Sequence, residues 1–129
     1  MPSRAQDWMD QARRDLDAAG RNLECGIFEW ACFISQQAGV KAVKAVFQHL
    51  NAEAWGHSVS ELLQVLPEAH LPPPDVLASA RELDTYYIPT RYPNGFPAGA
   101  PKDYFTAQKA REAITHAEAV VRFCEGLLH

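Results

Sequence analysis

The chain has 129 residues, enough for one domain over residues 1–129 that buries roughly two-thirds of the surface of its unfolded form. Apolar residues make up 47% and charged residues 22%, an ordinary globular composition that excludes a disordered or fibrous protein. The net charge of -4 excludes a broadly basic nucleic-acid-binding surface, and no apolar run approaches the roughly 18 residues of a membrane-spanning helix.

The first predicted element is an amphipathic helix between Ser3 and Gly26. Ser3 and Gln6 have the spacing of a capping box, in which two side chains satisfy the free amides of a helix start. An apolar stripe then recurs every three or four residues, and it consists of Trp8, Ala12, Leu16, Ala19 and Leu23. The opposite side is expected to face solvent and carries Arg4, Asp7, Arg14, Asp15, Asp17 and Arg21.

The second predicted helix, residues 27–50, is apolar on nearly every side. This pattern is typical of a central helix that several neighbours cover. Its polar exceptions are Gln36, Gln37, Lys41 and Lys44. We expect the glutamines to hydrogen-bond between helices and the lysines to reach solvent, with a ligand or partner contact of the two lysines as the alternative.

A short helix follows, because Ser58 and Glu61 again have capping-box spacing and Pro67 stops the apolar pattern. His57 lies just before this cap. It either packs against the entry of the helix or serves as a site residue.

The last two predicted helices flank a long loop. The fourth helix begins near Asp75, and its apolar stripe reaches Ile88 before Pro89 ends it. About thirteen residues then lead to Pro101, a loop length that is typical of functional segments in compact domains. The fifth helix is expected to run from Asp103, a favoured N-cap residue, to about residue 127.

No segment alternates strictly between apolar and polar residues, so no half-buried strand is predicted. We therefore predict an all-α fold, an antiparallel up-and-down bundle of four long helices plus one short helix.

The cysteines and the N-terminal residues indicate a compartment. Cys25, Cys32 and Cys124 are odd in number and form no C-x-x-C pair, which argues against a disulfide framework and a zinc site. Acidic side chains at Asp7 and Asp10 lie where a signal peptide is apolar. We therefore expect a cytoplasmic protein with buried thiols and with neither a metal nor a cofactor.

The least ordinary chemistry lies between residues 83 and 95. Asp84 and Tyr87 are three residues apart, on one face of the predicted helix, and Arg91 follows the turn at Pro89. Arg91 can grip a phosphate or carboxylate with two parallel hydrogen bonds while Tyr87 or Tyr92 stacks on a base. Alternatively, Asp84 and Arg91 form an ion pair that locks the loop, and the tyrosines only pack.

Taken together, these segments resemble the HEPN family (higher eukaryotes and prokaryotes nucleotide-binding), in its small stand-alone prokaryotic form. The resemblance covers essentially the whole chain. The chain departs from it at Gly39 and Val40, where relatives usually place Ala-Glu, so that an acid next to Lys41 is lost. The matching segments are ARRDL at 12–16, WACF at 30–33, QQA at 36–38, KAVKA at 41–45, GHS at 56–58, LD at 83–84 and YYIPTRYP at 86–93.

The resemblance implies a helical bundle, commonly a homodimer, that is often paired with a minimal nucleotidyltransferase in a toxin-antitoxin-like system. For this chain it implies a nucleotide-binding or partner-binding role without a cofactor, and possible contacts to nucleotide or RNA. The candidate binding residues are Lys41, Lys44, His57, Asp84, Tyr87, Arg91 and Tyr92. A non-catalytic oligomeric scaffold is a further alternative.

Some HEPN proteins are metal-independent ribonucleases that use an arginine followed, after four to six residues, by a histidine. Arg111 and His116 fit this spacing, as do Arg122 and His129, and we take Arg111 and His116 as the candidate catalytic pair. Five residues correspond to about 140° around a straight helix, so these two side chains are not expected to share one face. Glu118 replaces the tyrosine that some toxins carry two residues after the histidine.

Overall fold

A computed structural model describes residues 3–128, so that His129 lies outside the described part of the chain. No strand occurs within these residues, and the predicted all-α class is confirmed. Four long helices and two short ones follow one another as α1 (Ala5–Glu24), α2 (Phe28–His49), α3 (Val59–Gln64), α4 (Pro74–Asp84), α5 (Pro101–Tyr104) and α6 (Ala107–Glu125). Single 3-10 turns lie at Glu68–His70 and Pro93–Gly95.

Helix α2 is the central helix, as its apolar pattern predicts. It packs against α1, α3, α4, α5 and α6. Val43 and Val46 of α2 are fully buried, together with Met9 of α1, Leu83 of α4 and Val120 of α6. One apolar core therefore joins all four long helices.

Cross-helix contacts give the directions of the helices. Asp15 of α1 meets Lys41 of α2, and Ser3 beside the start of α1 donates to the Gln48 carbonyl near the end of α2. Helices α1 and α2 are therefore antiparallel.

Helix α1 uses its predicted apolar stripe with two additions and one exception. Ala12 and Ala19 are fully buried, and Ala5 and Met9 are buried beside them. The exception is Asp15, which we placed on the solvent side and which is only 9% exposed, because it forms an ion pair with Lys41 of α2. Helix α1 begins at Ala5, so that Arg4 and not Ser3 is its N-cap residue. The Ser3 hydroxyl nevertheless accepts a hydrogen bond from the Ala5 amide.

Two predicted helix boundaries are wrong. Helix α4 ends at Asp84 rather than Ile88, because the chain turns there and the Thr85 hydroxyl donates to the Glu82 carbonyl. The last helix does not begin at Asp103. That carboxylate accepts the Ala100 amide and caps the separate helix α5, whereas Thr106 caps α6.

Gly39 allows α2 to approach α3 and α4 closely. A Cβ atom at this position would lie 2.9 Å from a methyl group of Leu83 and 3.4 Å from one of Val59. The missing side chain therefore brings the C-terminal end of α4 and the start of α3 onto the middle of α2.

The predicted burial of the thiols is confirmed for two of the three cysteines and is wrong for the third. Cys32 and Cys124 are fully buried, but Cys25 is exposed, because it follows the last residue of α1 at the surface turn to α2. Within residues 3–128, no helix is both long and apolar enough to cross a membrane.

Candidate functional site

Asp84, the last residue of α4, binds the start of α3. One carboxylate oxygen accepts the Val59 amide at 2.6 Å. The other accepts the Ser60 amide at 3.2 Å and the hydroxyls of Ser58 and Ser60. Ser58 also accepts the Glu61 amide, as its predicted capping role requires. Asp84 therefore fixes α4 to α3, and the predicted ion pair between Asp84 and Arg91 is wrong.

Arg91 lies instead among aromatic rings. Its guanidinium carbon is 4.5 Å from the ring centres of Phe33 and Tyr87 and 5.1 Å from that of Tyr92. The Nε group donates to the Tyr87 carbonyl at 2.8 Å, which fixes the guanidinium between the rings. We call Phe33, Tyr87, Arg91 and Tyr92 the arginine–aromatic cluster.

The two terminal nitrogens of Arg91 remain available in this cluster. Within residues 3–128, the guanidinium has no acidic partner within salt-bridge distance, and Nε makes its hydrogen bond. A guanidinium has five N–H donors, so four donors on the terminal nitrogens can bind an anion. Arg91 also lines a small cleft of about 180 Å³ with Glu29, Trp30, Thr90 and Lys102.

Neighbouring aromatic side chains extend the cluster across the surface. His57 stacks on Tyr87 with ring centres 4.6 Å apart, and its carbonyl accepts the side-chain amide of Gln36. Gln36 thus bonds to the segment before α3, and Gln37 donates to Gln36 within α2, so that neither glutamine makes the expected hydrogen bond between two helices. Trp30 contacts Phe33 edge to face at 5.7 Å, and both Trp30 and Tyr92 are nearly half exposed.

The two candidate lysines lie elsewhere, along the groove between α1 and α2. Lys41 does not extend to solvent as we expected, because its ammonium binds Asp15 at 2.6 Å. Lys44 lies 5.9 Å from the ring centre of Trp8. These lysines therefore form a second location and do not join Arg91.

Arg111 and His116 define a third location. Although they are separated around α6, both line a cleft of about 250 Å³, together with Gln108, Glu112 and Thr115. The Nδ1 atom of His116 lies 2.9 Å from the hydroxyl oxygen of Ser79, a buried residue of α4. A hydrogen bond at Nδ1 fixes the ring and leaves Nε2 available for proton transfer.

Sequence reasoning missed three neighbours of these sites. Trp30 and Phe33 belong to the helix that we predicted to be covered by neighbours on nearly every side, although their spacing of three residues already places them on one face of α2. Ser79 carries no signal of its own, because its role depends on the packing of α4 against α6. Within residues 3–128, no group of three or more His, Cys, Asp and Glu side chains is arranged to hold a metal ion.

Comparison with known proteins gives one family. The family model that describes the HEPN domain matches residues 5–127 of this sequence. Among solved structures, TT1696 from Thermus thermophilus is 42% identical with a TM-score of 0.96, and the match covers 98% of this chain and 100% of that one. The archaeal HEPN homologue ST0689 is 40% identical over the full length of both chains, with a TM-score of 0.84.

A third solved relative, the HEPN domain protein TM0613 from Thermotoga maritima, is 41% identical with a TM-score of 0.77. The match covers 95% of this chain and 97% of the Thermotoga protein. No curated protein matches the chain.

Proposed function

Because this chain belongs to the HEPN domain family, we propose that it acts as the helical, homodimeric partner of a minimal nucleotidyltransferase in a toxin-antitoxin-like pair, and that it binds nucleotide at the arginine–aromatic cluster. One observation carries the binding proposal. The Arg91 guanidinium is held by rings and by a backbone carbonyl, while no acid of residues 3–128 lies within salt-bridge distance of its terminal nitrogens, although Glu29 lines the same cleft.

This arrangement suits a phosphate attached to an aromatic base. The terminal nitrogens of Arg91 form two parallel hydrogen bonds to phosphate oxygens. Tyr92 and Trp30, each nearly half exposed, offer ring faces for stacking. Asp84 does not touch the nucleotide; it holds the end of α4 in place, and the chain that follows carries Tyr87 and Arg91.

Calorimetry with ATP tests the binding proposal. We expect Arg91→Ala to weaken binding by about tenfold or more, since a charge-assisted contact to phosphate contributes about 1.5–3 kcal/mol. Arg81→Ala, which removes an exposed arginine of α4, is the matched control and should bind ATP as the unchanged protein does. Equal affinity of the Arg91 and Arg81 variants would contradict the proposal.

The partnership is tested separately by searching the reading frames beside the gene for a minimal nucleotidyltransferase and co-expressing this chain with it. We expect a stable complex that co-purifies, and size-exclusion chromatography with light scattering should find two copies of this chain. In the ATP experiment, a lowered melting temperature of the Arg91→Ala variant would show that Arg91 stabilises the fold. If neither ATP nor a nucleotidyltransferase binds, the remaining function is that of an oligomeric scaffold.

A specific observation favours a second candidate function, that of a metal-independent ribonuclease. Arg111 and His116 line one cleft, and His116 is oriented through Ser79. In this mechanism Nε2 of His116 takes the proton of a ribose 2′-hydroxyl, whose oxygen attacks the adjacent phosphorus. The bond to the 5′-oxygen breaks and leaves a 2′,3′-cyclic phosphate, the 5′-oxygen takes a proton from water, and Arg111 stabilises the charge on the phosphate.

Cleavage of a short single-stranded RNA in the presence of a chelator tests this second function. His116→Ala and Arg111→Ala should each lower the rate by about 100-fold or more, the typical contribution of general acid–base catalysis. Arg122→Ala, an exposed arginine of the same helix, should retain the full rate. Unchanged cleavage by the His116 and Arg111 variants would exclude these residues as catalysts.

A further inference from the structure

The groove between α1 and α2 contains a cleft that the proposed function does not use. It has a volume of about 370 Å³ and is lined by Arg4, which precedes α1, by Asp7, Trp8 and Gln11 of α1, and by Lys41 of α2. We call it the α1–α2 cleft. Arg4 and the three α1 residues are spaced three and four residues apart and present one continuous face to the cleft.

An ion pair fixes Lys41 in this cleft and leaves N–H donors of its ammonium unused. Its ammonium binds one oxygen of Asp15 at 2.6 Å, and the other oxygen of Asp15 accepts the Gln11 amide at 3.0 Å. The Lys41 side chain is 27% exposed, against 12% for Asp15. An ammonium has three N–H donors, and Asp15 takes the one hydrogen bond that Lys41 donates within residues 3–128.

The charges around the cleft leave a positive excess. Arg4 pairs with Asp7 at 2.9 Å, and Lys41 pairs with Asp15. Lys44 has no acidic partner within salt-bridge distance in the described residues, and its ammonium lies near the Trp8 ring. Lys44 does not line the cleft, but with it the cations around Trp8 outnumber these paired carboxylates by one, which favours an anionic ligand.

The cleft also has an apolar wall. Trp8 is partly buried against the core, and its remaining indole surface borders the same space as the Lys41 ammonium. A cleft of this size holds more than a bare anion, because small-molecule sites begin at roughly 300 Å³. Its chemistry fits an acidic head group joined to a small planar apolar body.

From these features we propose that the α1–α2 cleft binds a small aromatic anion. The carboxylate or phosphate of this ligand takes the free donors of Lys41 and the charge of Lys44, and its ring packs on Trp8. Binding at this cleft is independent of the arginine–aromatic cluster, which lies at the other end of α2 beyond Phe33.

Trp8 itself can report binding. In a Trp30→Phe/Trp55→Phe variant, Trp8 is the one remaining tryptophan, and its fluorescence is titrated with phenyl phosphate. We expect a saturable change in emission, and benzoate serves as the carboxylate probe. Saturable binding of either probe supports the site and identifies its head group, whereas no saturation by both up to about 10 mM overturns the proposal.

Substitutions locate the bound anion. Lys41→Gln and Lys44→Gln should each raise the Kd of phenyl phosphate by roughly fivefold to tenfold. The matched control is Lys109→Gln, because the Lys109 ammonium lies 5.5 Å from the Phe105 ring in similar surroundings on α6. Unchanged Kd values in both the Lys41 and Lys44 variants would overturn the proposal.

Two further measurements keep the result unambiguous. If Lys41→Gln fails to fold because Asp15 loses its partner, Lys44→Gln decides alone, since Lys44 leaves no buried acid behind. Arg91→Ala should bind phenyl phosphate with the same Kd as its parent, so that a failed ATP experiment and a failed phenyl phosphate experiment are distinguishable. If inorganic phosphate binds with the same Kd as phenyl phosphate, the proposed packing of the ligand ring on Trp8 is wrong.

Discussion

Asp84 is the residue whose role changes most between sequence and structure. Its spacing to Tyr87 and Arg91 predicted a site carboxylate or an ion pair. Its actual partners are Ser58, Val59 and Ser60, which lie 24 to 26 residues earlier in the chain. Local spacing identifies residues that share a helix face, but it contains no information about which distant segment a carboxylate meets.

Replacing Asp84 tests its structural role. Asp84→Ala should lower the free energy of unfolding by about 3 kcal/mol, because several donors at the start of α3 lose a charged acceptor at once. Urea denaturation measures this change. Asp75→Ala, an exposed acid in the first turn of the same helix, should cost less than about 1 kcal/mol. Similar losses in both variants would mean that the Asp84 hydrogen bonds contribute little.

At the scale of the elements, periodicity located the four long helices but not their ends. The predicted ends were wrong where a side chain makes a different contact from the one that its local sequence favours. Asp103 is a good N-cap residue and does cap a helix, but the capped helix is α5, and Phe105 and Thr106 separate it from α6. The repeat of apolar residues identifies a segment as a helix, whereas the position of its first residue depends on which side chain caps it in the folded protein.

The revised start of α6 makes a measurable prediction. Thr106→Ala should destabilise the protein by about 1 kcal/mol and speed hydrogen exchange at the Lys109 amide, which Thr106 accepts at 3.2 Å. Asp103→Ala should speed exchange at the Ala100 amide and leave the Lys109 amide protected. Faster exchange at Lys109 in the Asp103 variant would restore Asp103 as the cap of α6.

The close packing of α2 on α3 and α4 gives a second prediction at this scale. Gly39→Leu should lower the free energy of unfolding by about 3 kcal/mol, because the new side chain meets Leu83 and Val59 in the core. Gly20 of α1 has no atom within 4 Å of an added Cβ. Gly20→Leu should therefore stay within about 1 kcal/mol of the parent and tend to stabilise α1. Thermal unfolding followed by circular dichroism compares the two.

For the whole molecule, three buried acids predict how stability depends on pH. Burial raises the pKa of the Cys32 thiol from 9.0 to about 12. It also raises the pKa of the Cys124 thiol and that of the Tyr86 phenol above their ordinary values. The folded protein thus retains protons that the unfolded chain releases near pH 9 to 10.

The sign of the effect follows from this difference. Stability from these groups is fully present below about pH 9 and is lost as the pH rises towards 12. Each buried thiol should account for about 1 kcal/mol of lost unfolding free energy at pH 10, measured by urea denaturation relative to pH 7. A Cys32→Ala/Cys124→Ala variant should lose less over the same interval, and an identical loss would contradict the assignment.

The same carboxylate that joins α4 to α3 also resolves an electrostatic conflict. An acid at the last residue of a helix lies at the negative end of the helix macrodipole, which is unfavourable by a few tenths of a kcal/mol or more. Asp84 occupies this position in α4, yet its oxygens lie on the amides that begin α3, where a negative charge is favoured. The positive end of one helix thus compensates the negative end of another through a single side chain, and the acid destabilises α4 only when α3 is not folded beside it.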